Sequence, residues 1–215
     1  MFFAQFEQDK YLEHNVFKGF KGGVFMDIGA HDGISFNNTL YFERTNGWSG
    51  VNVEPIKDVF DKLVINRPTS INLNCAVCNT DGTAEFLCNT GYTEMLSGLT
   101  TCYDKRHIGR IKEELQCNGG SSTVIDVFTK KIETICDMYN IKHIHFMTID
   151  VEGAEFDVIR SINFEKVFID VILFENNFTN VSIPIVEYLQ TKNYKILYAE
   201  SYDIYMIHVD SCFRS

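Results

Sequence analysis

The segment Val24-Phe25-Met26-Asp27-Ile28-Gly29-Ala30-His31-Asp32-Gly33 constrains the fold more than any other part of this chain. A short, mostly apolar run leads directly into a turn bounded by Gly29 and Gly33, and a helix-like stretch follows at residues 37–45. Glycine lacks a Cβ, so the backbone can reverse sharply there and can approach a ligand closely. A buried strand, a glycine turn and a helix together open a βα unit, with its binding crevice at the carboxyl ends of the strands. Residues 50–53 read as the next strand, closed by Glu54-Pro55.

The rhythm continues along the chain. Lys57–Asn66 reads as a helix stopped before Pro68, because a proline disfavours helical geometry in the residue before it. Strands are predicted at 71–77, 83–88, 123–127, 145–149 and 169–174, and helices at 130–139, 154–161 and 183–191. Tyr194–Ala199 and residues 205–209 read as a terminal strand pair. The predicted fold is α/β and Rossmann-like: a mostly parallel central sheet, helices on both faces, and an antiparallel strand at the end. A length of 215 residues suits a single domain over residues 1–215. Residues 89–122 break the rhythm. They are rich in Gly, Ser, Thr and Asn, with a charged helical piece near 107–115, and read as a substrate or lid loop.

Composition narrows the partners. The net charge is −10 and no long basic run is present, so nucleic acid is not expected as a partner. A local patch of Lys105, Arg106, His107, Arg110 and Lys112 reads as a solvated face. No apolar run is long enough for a membrane span, and the start becomes acidic too soon for a signal peptide. Seven scattered cysteines point to reduced thiols and a cytoplasmic location. Cys75 and Cys78 lack a second pair for zinc, so they read as core or strand-edge thiols.

The candidate ligand site follows from the same segments. Gly29, Ala30, His31 and Gly33 form the turn, and Asp27 sits at the mouth of its strand. A carboxylate there attracts a positive group, such as the amino or sulfonium region of a methionine moiety, and would repel a pyrophosphate. Glu54 stands about twenty positions past the turn, where an acid accepts bonds from both hydroxyls of a ribose.

These motifs resemble the FkbM family of methyltransferases. Phe25–Gly33 is similar to that family's cofactor motif, and Val53-Glu54-Pro55 to its ribose-binding acid. Asn74-Cys75-Ala76-Val77 resembles the third strand, whose end lies near the adenine. Residues 146–155, ending Asp150-Val151-Glu152-Gly153-Ala154-Glu155, resemble the second hallmark, Asp-x-Glu-Gly-x-Glu. Gln5-x-x-Gln8-Asp9 is like an N-terminal element that closes over the cofactor, which makes residues 1–23 a cofactor-closing segment. The resemblance implies a class I fold, S-adenosylmethionine as cofactor, and O-methylation of sugars, glycans or other small hydroxylated acceptors. It places the cofactor against Gln5, Asp27, Gly29, Ala30, His31, Gly33, Glu54, Pro55, Cys75, Ala76 and Asp150.

A hydroxyl is a poor nucleophile at neutral pH and needs a base or a metal. Candidate bases are Asp150, Glu152 and His31. Asp150, Glu175 and Asn176 end neighbouring strands, and such oxygen ligands suit Mg²⁺ or Mn²⁺; the alternative is that these acids hold the acceptor hydroxyls directly. His143 and His145 begin a strand, at the wrong edge for this site, and read as structural. Phe36, Tyr41, Phe42, Tyr92, Tyr103 and Tyr202 either stack on sugar rings or belong to the core. Competing readings are a binding module that has lost catalysis and a nucleotide-dependent oxidoreductase. The second lacks a complete Gly-x-Gly-x-x-Gly cradle.

Overall fold

The computed structural model describes residues 1–176, 179–200 and 202–214. The chain opens with helix α1 (Gln8–Leu12), which runs on as a π-helical turn over Glu13–Phe17. Strands and helices then alternate: β1 (Val24–Ile28), α2 (Leu40–Asn46), β2 (Ser49–Val53), α3 (Lys57–Asn66) and β3 (Ile71–Leu73). Next come β4 (Ala76–Val77), β5 (Gly82–Asn89), a 3₁₀ turn (Gly91–Leu96), β6 (Gly98–Leu99), α4 (Lys105–Asn118) and β7 (Ser122–Lys130). The last part holds α5 (Ile132–Tyr139), β8 (His143–Ile149), α6 (Glu155–Arg160), β9 (Phe168–Glu175), α7 (Thr179–Thr191), β10 (Tyr194–Ala199) and β11 (Asp203–His208).

The main sheet has seven strands in the order β3-β2-β1-β8-β9-β11-β10. Pairing is parallel from β3 to β9, whereas β11 runs antiparallel to both β9 and β10. The sheet is therefore mixed, as the terminal strand pair implies. Side chains alternate across it. Met26 and Ile28 point to the face covered by Ile132, Ile135, Val158 and Ile159. Phe25, Phe146 and Leu173 point to the other, where Leu12, Val16, Phe17, Phe42 and Trp48 pack. Within residues 1–23, expected to close over the cofactor, Leu12, Val16 and Phe17 belong to the core.

A second sheet of four strands, in the order β4-β7-β5-β6, also departs from expectation. The strand predicted over 71–77 divides. Asn74 Nδ2 donates to the carbonyls of Glu54 and Pro55 at 2.9 Å each, and the chain leaves the main sheet there. The strand predicted at 123–127 pairs antiparallel with β5 instead of joining the main sheet. Phe86, Leu99 and Val127 pack with Ala76 and Ala154, which ties this sheet to the start of α6. The segment 89–122 carries β6 and α4, the latter capped by Asp104 Oδ1, which accepts the Arg106 N–H at 2.7 Å.

The strand ends are drawn together at one point. The N–H groups of Gly29 and Ala30 both donate to the Val53 carbonyl, at 3.1 and 3.0 Å, and the Asp150 N–H donates to the Ile28 carbonyl at 3.0 Å. Gly29 has φ +90°, and a Cβ there would lie 1.9 Å from the Asp150 carbonyl oxygen. Both the backbone angle and the space exclude a side chain. Gly29→Ala should therefore destabilise the protein by about 3 kcal/mol, read from the midpoint of a urea unfolding curve.

Candidate active site

The strand order reverses between β1 and β8, since β2 and β3 lie on one side and β9 on the other. In such sheets a crevice opens at the carboxyl ends of the strands. Here it is a cavity of about 510 Å³. Gly29, Ala30 and His31 line its floor, with Glu54 and Pro55 from the end of β2 and Asp150 from the end of β8.

Asp27 is buried beneath the floor. Its Oδ2 accepts from Asn37 Nδ2 at 2.9 Å and from Thr39 Oγ1 at 2.8 Å. Burial raises its pKa, opposed by the nearby Arg67 guanidinium. Arg67 is itself fully buried. It donates to Glu43 at 2.8 Å, to Asn37 Oδ1 at 3.0 Å and to Thr39 Oγ1 at 3.2 Å. Asp27 is thus held by a network that reaches through to α2 and α3.

On the β2 side, Glu54 is 5% exposed. Its Oε1 accepts the Ile56 N–H at 2.8 Å, and the His31 N–H also donates to it. Burial pushes its carboxyl up to about 7. Cys75 and Ala76 line the adjoining wall, and burial pushes the Cys75 thiol up to about 11. Cys75 and Cys78 are both buried free thiols.

On the β8 side, Asp150, Glu152 and Glu175 offer carboxylate oxygens within 4.8 Å of one another. Glu152 adopts φ 55° and Gly153 φ 109°, so the turn folds the Glu152 side chain back toward Asp150. Glu155 Oε1 accepts the Gly153 N–H at 3.0 Å and holds that turn. Asp150 has accessible surface, but that surface faces the cavity and protein encloses it. Burial, then the neighbouring carboxylates, raises the pKa values of Asp150, Glu152 and Glu175. Glu175 Oε2 is buried without a hydrogen-bond partner.

Two segments cover the opening. Gln5, Phe6 and Gln8 line it from the N-terminal side, and Gln8 Nε2 donates to Asp203 Oδ2 at 2.8 Å. From the other side, the 3₁₀ turn brings Glu94 within 2.9 Å of His31 Nε2. Helix α4 brings Arg110 and Glu114 to the cavity wall. His107, on the same helix, is buried, stacks on Tyr103 at 4.8 Å and lies 3.5 Å from Glu152 Oε2. The patch read as a solvated face is therefore divided, because α4 turns two of its members inward. The aromatics divide as well. Phe42 is core and Tyr103 packs under α4, whereas Phe36, Tyr92 and Tyr202 line the cavity mouth at 53%, 70% and 56% exposure. Phe36 has φ 55°, an uncommon angle for a bulky residue, and Tyr202 stacks on Phe6 at 5.0 Å.

Most of the expected site residues meet at this cavity: Gln5, Asp27, Gly29, Ala30, His31, Glu54, Pro55, Cys75, Ala76, Asp150, Glu152 and Glu175. Two do not. Gly33 has φ 78° and is absent from the cavity lining; a Cβ there would meet Leu63 Cδ1 and Arg67 Cγ at 2.6 and 2.7 Å, so the glycine leaves room for the stem of the buried arginine. Asn176 is absent from the cavity lining, and its Oδ1 accepts a bond from Ser182 Oγ. The sequence reading missed Arg67, Thr39, Arg110 and Asp203. Only the carboxylate-rich patterns around Asp27 and Asp150 hinted that a buried cation must be near. His143 and His145 lie at the opposite end of β8, as expected.

Comparison with known proteins bears on this geometry. A family model described as the methyltransferase FkbM domain matches residues 27–196. A crystal structure of methyltransferase FkbM from Methylobacillus flagellatus superposes with a TM-score of 0.52 at 13% identity, covering 87% of this chain and 44% of that one. The chain thus spans less than half of that protein. A methyltransferase from Pyrococcus furiosus has a TM-score of 0.44 at 9% identity, covering 94% of this chain and 80% of that one. No curated protein matches the chain. The fold is the α/β class I methyltransferase fold with a mixed sheet.

The buried Glu54 yields a pH prediction. Its folded pKa of about 7 exceeds the ordinary 4.5, so the folded state holds the proton more tightly. Its penalty is absent below about pH 4.5, grows as the pH rises and is complete above about 7, at roughly 3 kcal/mol. The protein without ligand should therefore lose stability from pH 5 to pH 7.5, and Glu54→Gln should flatten that loss while keeping an acceptor for the Ile56 N–H. Chemical denaturation at both pH values measures it, and an equal slope in the variant would remove Glu54 as the cause.

Proposed function

This chain belongs to the FkbM methyltransferase family, and on that premise we propose that it is an S-adenosylmethionine-dependent O-methyltransferase acting on a hydroxyl of a sugar, glycan or other small hydroxylated acceptor. The observation that carries the reading is the cavity at the β1–β8 reversal, with Glu54 at one strand end and Asp150 at the next. Its volume of about 510 Å³ falls within the usual range for small-molecule sites. Its lining fits a cationic cofactor: eight carboxyl side chains face it, against one guanidinium, Arg110. S-adenosylmethionine, when bound, supplies a methyl group on a sulfonium.

Each residue then has a task. Glu54 accepts the ribose hydroxyls, with its second contact already fixed by the Ile56 N–H. Gly29 and Ala30 let the backbone lie close beneath the methionine portion, and the Asp27 network sets the negative potential there. Cys75 and Ala76 line the side where the adenine fits. Asp150, with Glu152 and Glu175 beside it, would take the proton of the acceptor hydroxyl. Glu152 stands beside it, so the proton remains within the cluster. His31, bonded to Glu94, ties the cofactor turn to the cover instead of acting as the base. Residues 4–8 and 89–122 exclude water during transfer.

The acidic cluster also fits Mg²⁺ or Mn²⁺. Three carboxylates converge, one carboxylate oxygen is buried without a partner, and hard oxygen donors suit these ions. Asp150, Glu152 and Glu175 would hold the ion, which supplies a positive charge for the forming alkoxide. The exposed aromatics at the mouth, Phe36 and Tyr92 above all, support a ring-shaped acceptor, because rings stack on such faces. The free thiols fit a reducing, cytoplasmic setting. Among the described residues no helix is long and apolar enough to cross a membrane.

Titration calorimetry with S-adenosylmethionine and S-adenosylhomocysteine tests the cofactor. Binding of both is expected, weakened at least about tenfold in Glu54→Ala by loss of a charge-assisted bond. A protein that binds neither compound in metal-replete buffer is not this enzyme. With an acceptor in hand, Asp150→Asn should lower kcat about 100-fold or more with cofactor affinity retained. Full turnover in strong chelator would remove the metal from the scheme.

A further inference from the structure

A second cluster of ligating side chains lies at the far end of the main sheet, near the start of β8 and β9. His143 and His145 stand two residues apart on β8, and their rings stack with centroids 4.2 Å apart. Asp170 on β9 lies between Ile169 and Val171, whose partners Ile144 and Phe146 flank His145. The three side chains offer ligand atoms within 4.8 Å of one another. His143 Nε2 is 2.6 Å from Asp170 Oδ2. Asp170 is 1% exposed, and its other oxygen, Oδ1, is buried without any hydrogen-bond partner. A buried carboxylate with one oxygen unsatisfied is costly unless something fills the position. Nothing in the proposed methyl transfer uses this group, because β8 spans seven residues and separates it from Asp150 by roughly 20 Å.

We propose that His143, His145 and Asp170 form a binding site for a borderline transition-metal ion, zinc above all, which clips β8 to β9 at the amino-terminal edge of the sheet. Two imidazoles and one carboxylate are a common ligand set for zinc, with water in the remaining position. The half-exposed His143 gives the ion a path from solvent, and the unsatisfied Asp170 oxygen gives it an anchor. As the ring stands, Nδ1 of His145 accepts the Val24 N–H at 2.9 Å, so Nε2 carries the proton. Ligation therefore goes with rotation of that ring, and the Val24 N–H, at the half-buried start of β1, passes to water. The donor set differs from the all-oxygen cluster in the cavity, so the two sites select different ions.

The test uses the full chain after removal of bound metal. Zn²⁺ is titrated by calorimetry, and Co²⁺ is titrated by its visible absorption, which reports nitrogen ligation and is insensitive to methyl transfer. One equivalent should bind. His143→Ala and Asp170→Asn should each weaken binding at least about tenfold, whereas Asp150→Asn should leave it unchanged. His143 is partly exposed, so its variant decides the matter even if Asp170→Asn fails to fold. Absence of binding overturns the proposal. So does binding that persists in His143→Ala, or binding that disappears in Asp150→Asn, which would assign the ion to the cavity.

Discussion

The contact between Gly29 and the backbone of Asp150 is the joint on which the rest of this structure depends. The Asp150 carbonyl sits where a Cβ of residue 29 would be. That approach lets β1 and β8 separate their side chains above the sheet while their backbones stay close. The Val53 carbonyl gathers the two amides of the turn, and the Ile28 carbonyl takes the amide of Asp150. Three strand ends are thereby fixed relative to one another by main-chain bonds. Glu54 and Asp150 stand at those ends, Glu54 further held by the Ile56 N–H and Asp150 flanked by Glu152 and Glu175.

Fixing so many carboxyl groups around one cavity has an electrostatic cost. Burial raises the pKa values of Asp27, Glu54, Asp150, Glu152, Glu175 and Asp203. Beneath the floor the protein compensates with a cation of its own, the buried Arg67. Above the floor it supplies only Arg110 from the cover. The asymmetry separates scaffold from site. Below the floor a buried arginine offsets the carboxylate; around the cavity the carboxyl groups crowd together and burial raises their pKa values.

The sequence was legible where a local rule decides the structure. The strand-turn-helix at Val24, the acid closing β2 and the Asp-x-Glu-Gly turn each carry a backbone signature, and each stands at the cavity. The second sheet was not legible, because β5 and β7 find each other across 89–122 and no local pattern states that pairing. The division of 71–77 depends on a single asparagine side chain reaching across to the β2 end. Gly33 lies away from the cavity lining, against Leu63 and Arg67. A glycine beside a ligand and a glycine beside a buried arginine look identical in one dimension. Asn176 follows β9 but is bonded to Ser182, a partner that its place at a strand end does not state.

The hydrogen bond between Gln8 and Asp203 joins residues 195 positions apart in the chain. Both line the cavity. Closure of that rim therefore waits on two segments that leave the ribosome far apart in time. The βα units around Gly29 can collapse early, since their contacts are near in sequence, but the finished mouth is among the last features to form. A nascent chain from which β11 has yet to emerge lacks the Asp203 side of that rim, and Gln8 then has no such partner.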